Sequence, residues 1–241
     1  MAKIRLFIDH PLAQGQGIAL SSDQAHYLSS VMRQEAGDEI LLFNGRDGEW
    51  LARIARLAKR NGDVVPERQT APQMDPPDLW LLFAPIKKAR TDFIVEKAAE
   101  MGAARIVPVQ TDFTNSERIR QDRLQAHAVE AAEQCGGTYV PEVTDLNPLS
   151  RLLDGWDGTR RILWADEAMV GPAETLAGLT KGPWAILIGP EGGFSESERA
   201  RLSAMDCVTR ISLGPRILRA DTAAVAALAL WQAELGDWRR D

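Results

Sequence analysis

Residues 184–198 read WAILIGPEGGFSESE: an unbroken apolar run, a turn holding Gly189, Pro190, Glu191, Gly192 and Gly193, and a polar segment. Apolar residues without alternation mark a strand buried on both faces, the habit of parallel sheets. Ser195 followed three residues later by Glu198 is a capping box, which starts a helix. The stretch therefore predicts strand, tight turn, helix. A lone glycine-rich turn of this kind is ordinarily just a connection. It matches neither the phosphate-binding loop with its Gly-Lys-Ser/Thr ending nor G-x-G-x-x-G, and Glu191 would repel a phosphate. A nucleoside suits it better than a nucleotide.

The same design recurs outward from that turn. Residues 213–222 read LGPRILRADT, a second Gly-Pro loop after a strand and before an alanine-rich helix. Arg216 and Arg219 flank this turn as a candidate anion site, and Asp221 before Thr222 has the look of an N-cap. Upstream, Leu79 to Pro85 reads as a buried strand, Lys87, Lys88 and Arg90 as a compact phosphate contact, and Thr91 to Met101 as a helix stopped by Gly102. Arg105 to Val109, Ile162 to Ala165 and Val208 to Leu213 are further strands. Arg123 to Gln134, Ser195 to Met205 and Asp221 to Leu235 are helices. The apolar face around Val225, Leu228 and Trp231 suits core and interface equally. This βαβα order predicts an α/β domain with a mostly parallel sheet, whose ligands sit in loops beyond the carboxyl ends of the strands.

The first third differs. Lys3 to Ile8, Glu39 to Phe43 and Glu49 to Ala58 read as strands, residues 44–48 as a turn and Ser22 to Arg33 as a helix. Pro66 to Pro77, with four prolines and no periodicity, reads as a linker. Domains are accordingly expected at 1–70 and 78–241, joined by 71–77. The chain has 241 residues, 45% of them hydrophobic and 26% charged, which suffices for a substantial core. Its formal net charge of −6 argues against indiscriminate nucleic-acid coating but leaves room for a local basic patch. The first residues lack the apolar stretch of a signal peptide, no run is long enough to span a bilayer, and a cytoplasmic location is expected. Two cysteines, Cys135 and Cys207, and three histidines, His10, His26 and His127, have no metal-ligand spacing. A metal-free site is the expectation, with no serine, histidine and aspartate trio.

Taken together, AILIGPEGGFSESE and ISLGPRILRADTAA are far more specific than either alone. The pair resembles the RsmE family of 16S ribosomal RNA (uracil-N3) methyltransferases within the SPOUT superfamily. The resemblance covers nearly the whole chain. His26-Tyr27-Leu28 with Val31-Met32-Arg33, and Gly37-Asp38 before Leu42-Phe43-Asn44-Gly45, match its N-terminal segments; Lys87, Glu96-Lys97, Glu100-Met101-Gly102, Pro108 and Glu133-Gln134-Cys135-Gly136 match its central ones. Gly137 stands where many members carry arginine, and Asp221 where many carry glutamate.

The resemblance implies a PUA-like β-barrel that binds RNA, and a C-terminal SPOUT domain whose trefoil knot holds S-adenosylmethionine and pairs two chains as a homodimer. Its cofactor site maps onto Ile188, Gly189, Pro190, Glu191, Gly192 and Gly193, onto Ile211, Leu213, Gly214 and Leu218, and onto Leu163 or Trp164. Methylating uracil N3 requires loss of its proton, for which Asp221 is a candidate base and Arg219 and Arg216 are candidate stabilisers of negative charge. Arg33, Arg53, Arg56, Lys59, Arg60, Lys87, Lys88 and Arg90 are the expected RNA contacts, and 16S rRNA or the assembled small subunit the expected partner. Rival readings are a non-catalytic assembly factor of this fold and a methyltransferase acting on another base atom.

Overall fold

The computed structural model describes residues 3–116, 118–169, 176 and 178–238; the outermost ends of the two expected domains, residues 1–2 and 239–241, lie outside them. The chain divides into two compact units, Met1–Asp75 with Ala132–Val140, and Pro76–Ala131 with Pro141–Asp241.

The N-terminal unit is built on a curled five-stranded sheet. Its elements are β1 (Arg5–Phe7), β2 (Ile18–Ala19), α1 (Ser22–His26) running into a π-helical stretch (Tyr27–Val31), β3 (Glu39–Phe43), β4 (Glu49–Ala58) and β5 (Asn61–Ala71). The strand order is β1-β3-β4-β5-β2, with β1 parallel to β3 and the other pairs antiparallel. Three register shifts between β4 and β5 bend the ribbon so that Leu42, Ala52, Ile54 and Val64 face one core with Leu28. The stretch 66–71, expected as linker, is strand. Pro66 lies opposite Ala52 beside one of those shifts, where its missing N–H does not break a regular ladder. The helix starts at Ser22, as expected, and is capped by Ser21: its hydroxyl accepts from Gln24 N while Gln24 Oε1 accepts from Ser21 N.

Residues 132–140 join this unit through Arg5. The guanidinium is 2.8 Å from Glu49, donates to the carbonyls of Ala132, Glu133 and Gly137 at 2.7, 3.0 and 2.9 Å, and lies over the Phe43 ring. Glu133, matched within the EQCG segment, accepts from the backbone N–H of Phe7 at 2.8 Å.

The C-terminal unit carries β6 (Leu79–Phe83), α2 (Lys88–Glu100), β7 (Arg105–Gln110), most of α3 (Gln121–Cys135), β8 (Glu142–Val143), β9 (Asn147–Pro148), α4 (Leu149–Asp154), β10 (Arg161–Ala165), β11 (Trp184–Ile188), α5 (Glu196–Ser203), β12 (Val208–Ile211) and α6 (Ala220–Glu234). Every strand pairing is parallel, in the order β12-β10-β11-β6-β7-β8, with β9 also on β7. All five residues of β11 are buried, as its unbroken apolar run requires. Leu228 and Trp231 are buried within the chain, so that face of α6 is core. Among the described residues no helix is long and apolar enough to cross a membrane.

Arg5 is nearly buried, and truncating one member of such a pair leaves a charge and three carbonyls without partners. Arg5→Ala is expected to destabilise the N-terminal unit by about 3 kcal/mol, read from the urea midpoint; an unchanged midpoint would remove Arg5 as the tie between residues 132–140 and the sheet.

Candidate functional site

Parallel pairing aligns the strand ends. Ile211 pairs with Ala165, Ala165 with Ile188, Ile188 with Phe83 and Phe83 with Pro108. The loops that follow these residues therefore emerge along one edge. A cavity of about 280 Å3 opens there, lined by Ala165, Glu167, Ile188, Gly189, Pro190, Glu191, Ile217, Leu218, Arg219, Ala220 and Ala223. A smaller recess beside it adds Asp166, Met169, Leu213, Gly214 and Arg216. A third hollow, of about 340 Å3, shares Pro190 and Glu191 and is bounded by Pro85, Ile86, Lys87, Lys88, Asn115 and Ser116.

The glycines of the first loop are required mainly by the protein itself. A Cβ on Gly189 would stand 2.6 Å from the Phe194 ring, and one on Gly192 would stand 3.2 Å from Phe113. Gly193 adopts φ 71°, and its N–H donates to Pro190 O at 3.0 Å, closing the turn. Phe194 is in turn buried edge-on against Trp164, with centroids 5.5 Å apart. Gly214 is different: φ is 114° and no atom lies within 4 Å of its missing side chain, so that face is open space. Behind the cavity, the fully buried Asp166 carboxylate accepts from Arg199 Nη1 at 2.5 Å, from Ala168 N at 3.0 Å and from Arg210 Nε at 3.0 Å. Burial pushes its pKa upward, but the bonds from Arg199, Ala168 and Arg210 outweigh this and hold it below the usual aspartate value. Arg199 also pairs with Glu167 and donates to Phe194 O at 3.1 Å. This network fixes the loop after β10, the turn after β11 and strand β12 to one another.

The expected site residues separate clearly. Ile188, Gly189, Pro190, Glu191, Leu218 and Arg219 border the larger cavity, and Leu213, Gly214, Arg216 and Leu218 the recess. Leu163 and Ile211 are buried inside strands and line neither; Ala165, two residues beyond Leu163, takes that place. Asp221 is not an N-cap: Arg219 holds that position without a capping bond, and Asp221 sits in the first turn of α6, 3.7 Å from Arg90. Lys87 and Lys88 border the third hollow. In the N-terminal unit Arg33 has an unusual φ of 53°, Arg53 is paired with Glu39 and Glu67, and Arg56 with Asp63.

A family model for an RNA methyltransferase domain matches residues 73–232, and one for an RNA methyltransferase PUA domain matches 20–67. The ribosomal RNA small subunit methyltransferase E of Rickettsia conorii is 31% identical over 229 residues, spanning 93% of each chain. The chain belongs to the ribosomal RNA small subunit methyltransferase E family. The Bacillus subtilis member is 27% identical, over 96% of this chain and 97% of its own. The Neisseria gonorrhoeae methyltransferase E, solved bound to S-adenosyl methionine, superposes with TM-score 0.88 at 26% identity, covering 99% of this chain and all of the other. A Legionella pneumophila methyltransferase solved with bound SAM gives 0.89 at 29% identity, covering 98% and 100%.

The cavity fits that cofactor on its own chemistry. Ile188, Leu218 and Ala223 offer apolar walls to a ring, Gly214 leaves its backbone uncovered, and Glu167 adds a carboxylate to a lining that faces a cationic ligand. Asp166, Glu167, Arg199 and Arg210 escaped the sequence reading. Two adjacent acids ending the strand in WADE were the available signal.

Asp166 is held below the unfolded aspartate value of about 3.9, so its stabilisation is complete above that pH and is lost as pH falls below about 4. Asp166→Asn is expected to cost about 2 kcal/mol at neutral pH and to flatten the fall in stability between pH 5 and 3, measured by urea unfolding across pH; a variant with wild-type stability and acid profile would contradict the network's role.

Proposed function

We propose that this chain transfers a methyl group from S-adenosylmethionine to N3 of one uridine in 16S ribosomal RNA. The observation that carries the reading is the cavity between two Gly-Pro loops, in a chain whose whole length follows that of SAM-bound family structures. When bound, the donor supplies an electrophilic methyl on a sulfonium. Ile188, Gly189, Leu213, Gly214 and Leu218 hold its adenosine, and Gly192, Gly193 and Ile211 keep those walls in shape without lining them. Holding donor and acceptor in line supplies much of the acceleration. Arg219, at the rim of the cavity and at the start of α6, lies where negative charge on the uracil oxygens is stabilised, with Arg216 as second donor. Asp221, engaged with Arg90, serves the helix start and the anion site rather than proton transfer.

RNA binding falls to the unit of residues 1–75 with 132–140, near the expected domain 1–70, methyl transfer to the unit of residues 76–131 with 141–241, near the expected 78–241, and the substrate is structured 16S rRNA in the small subunit. Among the described residues, Lys87, Lys88 and Arg118 have no carboxylate partner, whereas Arg53 and Arg56 are already ion-paired. The first group is therefore the stronger phosphate contact. A trefoil knot is supported by the path of the chain: β12 lies outside β10, yet α6 packs on α2 and β11, so residues 212–219 return across the ends of β10 and β11. Ile217, 74% exposed beside the cavity, suits cover by a second copy, and we assign a homodimer acting in the cytoplasm.

Incubating the protein with methyl-labelled donor and small subunits lacking the modification is expected to yield 3-methyluridine on nucleoside digestion. Arg219→Ala is expected to lower transfer roughly 100-fold while the calorimetric Kd for S-adenosylmethionine changes little. Loss of both together, or of neither, would contradict the role of Arg219.

A further inference from the structure

Two of the cavities meet at one carboxylate. Glu191 borders both the 280 Å3 cavity and the 340 Å3 hollow, is exposed, and among the described residues its carboxylate has no hydrogen-bond or ion-pair partner. The other acids nearby are engaged: Glu167 with Arg199, and Asp221 with Arg90. Glu191 is held at the junction by the Pro190–Gly193 turn, not by a partner of its own.

Resting on the uridine-N3 methyltransferase reading, we propose that the 340 Å3 hollow receives the target uracil and that Glu191 is the general base that takes its N3 proton. Uracil presents one donor, N3–H, between two carbonyl acceptors. Its complement is one acceptor flanked by donors, and the hollow supplies that set: the Glu191 carboxylate with the ammonium groups of Lys87 and Lys88 and the amide of Asn115. Pro85, Ile86 and Pro190 provide apolar surface for the ring. Cytosine inverts the pattern, since its N3 is an acceptor and meets the carboxylate with repulsion, so the same residue selects the base. The N3–H bond breaks and its proton passes to Glu191. The N3–C bond forms as the donor's S–C bond breaks, and the sulfur keeps that electron pair and leaves as a neutral thioether. Lys87 and Lys88 join Arg219, which borders the neighbouring cavity together with Glu191, in stabilising the charge that gathers on the two uracil oxygens. Lys88 also borders an adjoining hollow with Arg118 and Arg123, which suits the backbone phosphates on either side of the base.

The charged groups lining the two cavities around Glu191 are Lys87 before α2 and Lys88 at its first position, Glu167 from the loop after β10, and Arg219 before α6. If the Glu191 carboxylate is the base, removing it leaves N3 deprotonation to hydroxide, so the Gln variant and the wild type differ in pH dependence. Glu191→Gln is expected to keep the calorimetric Kd for S-adenosylmethionine within about threefold and to bind small subunits normally, while transfer at neutral pH falls by about 10²–10⁴-fold. Its rate should climb with pH well beyond the point where the wild type levels off. Ribosomal RNA carrying 5-fluorouridine, whose N3–H is more acidic, should accelerate the variant more than the wild type. Glu191→Asp should retain the wild-type pH profile at reduced rate. A Gln variant that loses donor affinity in proportion to its rate, keeps the wild-type rate, or shows neither hydroxide dependence nor 5-fluorouridine rescue overturns the assignment to Glu191. If the wild type itself makes no 3-methyluridine, it is the underlying reading that fails, whatever the variants do.

Discussion

The parallel register of β12, β10, β11, β6 and β7 is the constraint on which the rest depends. Because Ile211, Ala165, Ile188, Phe83 and Pro108 stand in one row, five loops leave the sheet at a common edge. Side chains far apart in sequence, such as Lys87, Asn115, Glu191 and Arg219, are thereby brought to adjoining cavities. A one-residue slip in any pairing would invert the faces of that strand and carry its loop away from the others.

The loops need more than a common origin to make a site of fixed shape. Asp166 provides this at the centre, since its buried carboxylate draws in Arg199 from α5 and Arg210 from β12. Arg199 then reaches the Phe194 carbonyl, and Phe194 fills the space that Gly189 leaves bare. The turn that carries Glu191 is thus braced from behind by packing and by charge. Catalytic groups held by such second contacts do not have to be reordered when substrate arrives.

What was legible in the sequence is local. Unbroken apolar runs gave β6 and β11 nearly to the residue, and the Ser195 and Glu198 capping box gave the start of α5, because both signals act within a few residues. The two Gly-Pro loops lie at strand ends beside the cavities, as the strand-turn-helix pattern predicts, but pattern alone does not show that Gly189 and Gly192 make room for aromatic rings of the protein itself. The stretch 66–71 reads as linker because it opens the segment from Pro66 to Pro77 with its four prolines, whereas a bulge at Glu67 in β5 itself accommodates Pro66 within the strand. The Asp166 network was not legible: its arginines lie 33 and 44 residues away, beyond any periodic signal. Nor does local pattern reveal that residues 132–140 belong with the N-terminal unit, to which they are tied by Arg5, Phe7 and Met74.

The central claim is that one edge of the sheet holds donor and acceptor in adjoining cavities that meet at Glu191. A crystal structure of this chain with S-adenosylmethionine tests it most directly. The account predicts adenosine between the loops at Ile188–Gly189 and Leu213–Gly214, with the methyl carbon pointing into the hollow bounded by Lys87, Asn115 and Glu191. A methyl directed away from that hollow, or a donor bound elsewhere on the chain, would contradict it.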